Sequence, residues 1–158
     1  MASFLFNRDL AMRAVMLVMP SIKEAVSQGL LDRNGFCIVV CDRTSSSFAS
    51  SEVYCFANNR PLWLKDYRTI AMSKAKISFR TGLSTREVLA NPAWLQQGDT
   101  RYYGSAVDGP IIVACSGFKQ SCDEMVSLWI VAAVNALAQE MFQTEVASTE
   151  ATFVGVEA

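Results

Sequence analysis

The stretch SAVDGPIIVACSG, residues 105–117, decides the fold. Two short apolar runs meet at Asp108-Gly109, a dipeptide suited to a type I′ turn because both central residues of that turn need positive φ. Pro110 would open the returning strand, where a missing donor is tolerated. Gly117 closes it. A tight hairpin here predicts an antiparallel sheet.

Upstream, GFCIVVC (residues 35–41) is a short β-branched run that reads as a strand buried on both faces. SEVYCFA (residues 51–57) follows a serine-rich turn and completes a second hairpin. Before them, Leu10, Ala14, Val18, Ile22 and Val26 recur every four residues. That spacing predicts a helix from about Arg8 to Gln28, capped by Asn7, stopped by Gly29 and kinked at Pro20. Between the hairpins, NNRPLWLKDY is a loop. A helix is predicted over Tyr67–Arg80, with Gly82 as its stop. Ser84 and Glu87 form a capping-box pattern for a short helix ending at Asn91-Pro92. Ser121 and Glu124 form a second such pattern, followed by a long apolar helix to about Phe142. The order is α-β-β-α-α-β-β-α, an α+β arrangement rather than a doubly wound one. Residues 1–142 read as one domain and 143–158 as a tail, either without fixed structure or with TFVGV added as an edge strand or arm.

Composition narrows the function. The 158 residues carry 14 basic and 15 acidic side chains and no histidine. A chain so balanced, with a pI near 5.4, lacks the basic face that nucleic acid requires and has no general attraction to anionic membranes. Without histidine, the commonest general base and metal ligand is absent. The five cysteines make an odd number without a CxxC. That spacing argues against a zinc site and against a disulfide framework, and points to a reducing, cytoplasmic setting. The N-terminal AVMLVMP run lacks the cleavage site of a leader and reads as helix. Met125–Gln139 is too short and too polar to span a membrane.

Three motifs in this order carry a resemblance. They are IVVCDR (residues 38–43), IAMSKAKISF (residues 70–79) and VDGPIIVACSGFKQSCDE (residues 107–124). Together they resemble the GlcG/HbpS-like family, which includes the C-terminal domain of PduO-type proteins. The resemblance spans roughly Phe6 to Leu137. It implies a profilin-like fold, a five-stranded antiparallel sheet with helices on both faces, assembled as a homo-oligomer. It also implies binding of haem, a corrinoid or another small molecule.

The candidate ligand-binding residues are Lys74, Tyr67, Tyr103, Gly104, Asp108, Gly109 and Asp123, around a pocket between the Tyr67–Arg80 helix and the Asp108-Gly109 hairpin. No catalytic residue is assigned and no metal ligand is identified. Lys74 matches the lysine of the family's helix pattern and has two readings: a surface lysine whose stem covers apolar area, or a cleft lysine that meets a ligand carboxylate. It shares a helix face with Ile70, Ala71 and Ser78, while Lys76 lies about 200° away. Lys74 is therefore the expected inner lysine, paired with a backbone carbonyl, a carboxylate such as Asp108 or Asp123, or an anionic ligand, and Lys76 the solvated one. Asp123 and Glu124 have a plain role at a helix start. Tyr102 and Tyr103, with Trp63 and Trp94, either wall an apolar pocket or bury at a subunit contact. The last helix is apolar in every direction, which predicts burial on all sides and hence an oligomer. Three functions remain open: a small-molecule binding module, an enzyme using Lys74, a tyrosine or Cys122 in the same pocket, or a structural or regulatory subunit.

Overall fold

The structure, a computed structural model, describes residues 4–148, 150 and 152–155. Four helices and four strands follow one another as α1 (Arg8–Ser27), β1 (Cys37–Asp42), β2 (Glu52–Ala57), α2 (Tyr67–Thr81), α3 (Thr85–Ala90), β3 (Ser105–Asp108), β4 (Ile111–Ser116) and α4 (Gln120–Met141). Their order is the one the periodicities predict. The ends are set by local chemistry. The Asn7 side chain accepts from the Leu10 N–H at 3.0 Å to start α1. Gly82, at φ +72°, ends α2. The Ser84–Glu87 capping box is fully formed.

The sheet is antiparallel throughout and runs β2-β1-β4-β3. It has four strands, which corrects the five-stranded, profilin-like sheet that the family resemblance implied. Among the described residues four segments form strands and no fifth does. The described residues of the tail offer none: residues 142–146 continue α4 as a π-helical turn, and residues 152–155 are not a strand. Val156 of the expected TFVGV arm lies outside the described residues.

Period-two alternation sends the central strands' side chains to two separate cores. Ile38 and Val40 of β1, with Val113 and Cys115 of β4, meet α1 and α4 on one face. Cys37, Val39 and Cys41, with Ile112 and Ala114, meet Tyr67, Ala71 and Ala75 of α2 on the other. This double burial explains the unbroken apolar run of β1, in which every residue is buried.

Three local readings need correction. The hairpin loop is Gly109-Pro110, not Asp108-Gly109, because Asp108 pairs with Ile111 in the ladder. Only Gly109 has positive φ, at +54°, and it holds the first central position, where a type II′ turn needs it. The Ser121–Glu124 capping box does not form. Helix α4 begins two residues earlier, with Lys119 rather than Ser121 at the cap position. Glu124 is taken by Arg86, whose Nε donates to both carboxylate oxygens at 3.0 Å. Finally, α4 is not buried all round. Ser121, Leu128, Ala132, Asn135, Ala136 and Gln139 face solvent, and these are small or polar apart from Leu128. By length and composition, Gln120–Val146 is sufficient to cross a membrane. Its Val126, Ile130 and Val134 are instead packed in the core beneath the sheet.

Candidate functional site

The two cores meet at one end of the β3–β4 hairpin, where the Lys74 side chain connects them. Lys74 leaves α2 on one face of the sheet and reaches the first turn of α4, which packs on the other. Its Nζ donates to the Cys115 carbonyl at 2.8 Å and to Asp123 Oδ2 at 2.9 Å. The two side chains are 1% and 4% exposed. The other carboxylate oxygen, Oδ1, accepts from the Phe118 N–H at 3.0 Å. Lys74 is thus the inner lysine, held by a backbone carbonyl and a carboxylate, and Lys76 is exposed. The helical period alone placed them correctly.

Gly104 leaves room for this crossing. A Cβ there would stand 2.6 Å from Asp123 Cβ and 2.8 Å from Lys74 Nζ. Its φ of +145° is one that only glycine adopts readily. A buried hydroxyl network pins the corner. Thr85 Oγ1 accepts from the N–H groups of Gly104 and Ser105 at 2.9 and 3.0 Å. Ser127 donates to the Gly104 carbonyl at 2.6 Å. Ser78 and Ser105 share a hydrogen bond at 2.8 Å.

Burial pushes the Asp123 carboxyl up to about 6, against the opposing pull of the Lys74 ammonium and the Phe118 N–H. The folded protein then holds this proton more tightly than the unfolded chain does, so protonation favours folding. That increment is complete below the ordinary value of 3.8 and is lost as the pH rises through about 6. A carboxyl-carbon NMR titration should find Asp123 well above the other aspartates, with urea midpoints falling over the same interval. An Asp123 that titrates at the ordinary value would contradict the burial argument.

A cleft of about 340 Å³ opens onto this pair, at the small end of the roughly 300–1,000 Å³ usual for small-molecule sites. It lies between the start of α2, the end of β4 and the start of α4. Lys74, Asp123, Tyr67 and Ile70 line it, with Ser116, Gly117, Phe118 and Gln120 from the β4–α4 junction. Arg33, Leu64, Lys65, Tyr102 and Lys119 complete the wall. The Tyr67 hydroxyl accepts from Arg33 Nη1 at 3.2 Å and from the Leu64 N–H at 3.4 Å. The Tyr102 hydroxyl accepts from Lys65 Nζ at 2.6 Å and from Arg101 Nη2 at 3.3 Å. Those hydrogen bonds, Lys65 first, pull the Tyr102 phenol down to about 8.

Of the seven candidates from the sequence, Lys74, Tyr67 and Asp123 come together in the cleft. Gly104 lies directly behind the ion pair. The Tyr103 N–H donates to the Gln120 side chain at 2.9 Å, at the cleft's edge. Asp108 and Gly109 sit at the opposite end of the hairpin, where Asp108 accepts from Asn135 at 2.6 Å. Arg33, Lys65 and Lys119 had no signal in the sequence, because each is a charged loop residue among others. Trp63 packs against Tyr67 with ring centroids 5.3 Å apart, and Trp94 is half exposed.

No protein-family model matches the sequence, and no curated protein does. Solved structures do share its fold. The Klebsiella pneumoniae protein ORFY, assigned to the DUF336 family, superposes with a TM-score of 0.57 at 14% identity, over 85% of this chain and 92% of that one. PduOC in its complex with haem gives 0.54 at 18% identity, over 85% and 96%. The Ybr137w protein gives 0.58 at 14% identity, over 84% and 78%. At such identities the likeness is one of fold. The chain therefore has the architecture of the GlcG/HbpS-like and PduO C-terminal proteins that its three motifs resemble, and shares it with a haem-binding protein.

Proposed function

We propose that the cleft binds a small organic anion, so that the protein acts as a non-enzymatic binding module. The observation that carries this reading is the charge of the lining. Four cations, Arg33, Lys65, Lys74 and Lys119, face one carboxylate, Asp123, in a chain whose net charge is -1. Asp123 is already neutralised by Lys74, so the remaining cations await negative charge from a ligand. Leu64, Ile70 and Phe118 supply apolar contact for the rest of such a molecule.

PduOC shares the fold and binds haem, but this lining does not fit that group. No side chain in the cleft offers an imidazole, thiolate or thioether as axial ligand. The two phenol oxygens are already engaged by Arg33 and by Lys65 with Arg101. The Lys74 ammonium, engaged by two acceptors, serves as a fixed cation rather than a nucleophile.

Calorimetric titration with benzoate, and with neutral benzamide of the same shape, tests the reading. Benzoate should bind, benzamide should not, and Lys65→Glu with Lys119→Glu should weaken benzoate at least tenfold. Raising the salt concentration should weaken it as well. Equal binding of the amide, no binding of benzoate at millimolar concentration, or indifference to the charge reversal would overturn the proposal.

A further inference from the structure

On the α2 face, away from the cleft lining, three side chains from three elements meet around sulfur. Cys55 lies on the edge strand β2 and is partly exposed. Arg68 in the first turn of α2 donates from Nη1 to Cys55 Sγ at 2.9 Å, while its Nη2 donates to Glu52 Oε1 at 2.8 Å. Cys37, on β1 and fully buried, has its Sγ 3.8 Å from that of Cys55. A guanidinium with one arm on a carboxylate and the other on a sulfur is an ionic arrangement, and it suits a thiolate better than a thiol.

We infer that Cys55 is a reactive thiolate that peroxides oxidise, with Cys37 as the thiol that resolves it. The Cys55 sulfur attacks one peroxide oxygen, the O–O bond breaks, and hydroxide leaves and is protonated by solvent. Cys55 becomes a sulfenic acid, oxidised by the two electrons that reduce the peroxide. The Cys37 sulfur then displaces the Cys55 hydroxyl, its proton goes to that departing oxygen as water, and an S–S bond forms. Closing 3.8 Å to the bond length of about 2.0 Å asks for a local shift within the β1–β2 ladder.

Position divides the roles, since Cys55 is partly exposed and meets Arg68 whereas Cys37 is buried, and the electrostatics run the same way. Cys55 is lowered below the ordinary thiol range, first by the hydrogen bond from Cys37, with burial opposing and Arg68 assisting. Cys37 is raised far above the ordinary thiol range, by donating to Cys55 and by burial. Around them Glu52 opposes the Cys55 thiolate, and Cys115 adds a further small upward push on Cys37. Cys41 is also pushed up, to about 12, by burial. Of the three cysteines on this face, Cys55 is thus the one set up to react.

Cys122, the other partly exposed thiol, provides the internal comparison. Iodoacetamide followed by peptide mass spectrometry should label Cys55 ahead of Cys122 at pH 7. Arg68→Met should slow Cys55 about threefold, because the guanidinium that assists the thiolate is lost while the Cys37 hydrogen bond stays. Arg68→Lys should restore part of the rate. Peroxide should remove two hydrogens from the intact chain and link the Cys37 and Cys55 peptides. In Cys37→Ala, dimedone should instead trap a sulfenic acid on Cys55. Cys55 reacting no faster than Cys122, an Arg68→Met variant with unchanged labelling, or peroxide acting elsewhere first would overturn the inference. Arg68 is partly exposed, so its variants are expected to fold even where a change at buried Cys37 does not.

Discussion

Replacing Lys74 by methionine is expected to destabilise the protein by about 3–5 kcal/mol, the cost of leaving one partner of a buried ion pair alone. Both partners are almost fully buried and meet solvent only through the cleft, so water can replace little of the missing contact. Asp123 would keep the Phe118 N–H but lose the ammonium, and the Cys115 carbonyl would lose its donor. The loss should be smaller at pH 5 than at pH 8. Burial already favours the protonated carboxyl, and protonation removes the unpaired charge. Adding Asp123→Leu to Lys74→Met should recover part of the loss, since a neutral apolar pair carries no desolvation cost. Urea denaturation of the two variants at both pH values provides the measurement. A single variant within about 1 kcal/mol of the parent would show that the pair is not a structural tie between the two faces of the sheet. Lys76→Met, on the exposed side of the same helix, should change stability by less than about 0.5 kcal/mol.

Gly104→Ala is expected to cost about 2–5 kcal/mol, combining an unfavourable φ with overpacking of a buried site. The new methyl would meet Asp123 Cβ at 2.6 Å and Lys74 Nζ at 2.8 Å, and neither can withdraw without breaking the ion pair. Gly109→Ala separates the two contributions. Its φ is also positive, at +54°, but nothing lies within 4 Å of the added Cβ. That variant should lose only about 1 kcal/mol, from backbone conformation alone. The steric part should appear as more than the difference in thermal midpoint. Only Gly104→Ala should disturb the Asp123 titration, because only there does the methyl reach the carboxylate. Equal costs at the two glycines, with the titration unmoved, would remove Gly104 from the site.

The sequence by itself determined the order of elements, their approximate ends and the antiparallel pairing. It also determined which of two neighbouring lysines turns inward. Each of these is written within a few residues: a four-residue stripe, a cap three residues before its donor, or a 100° step between side chains. The same locality limited it. The choice between Asp108-Gly109 and Gly109-Pro110 as the loop depends on which residues of two strands face each other, a matter of register. The family resemblance implies a fifth strand that the described residues do not form. The sequence points to the Asp108-Gly109 end of the hairpin while the cleft opens at the other, because both ends lie beside the same helix in sequence order. Only the sheet order β2-β1-β4-β3 brings the start of α2 to the end of β4. The contacts that make the site are long-range: Lys74 reaches 41 residues along the chain to Cys115 and 49 to Asp123, and Arg33 reaches 34 to Tyr67. Arg68 and Cys55 meet across 13 residues, from a helix and an edge strand. Such pairs have no periodic signature. They form because burial of two separate apolar faces fixes the layers first, and the charged side chains then find partners at the places where those layers end.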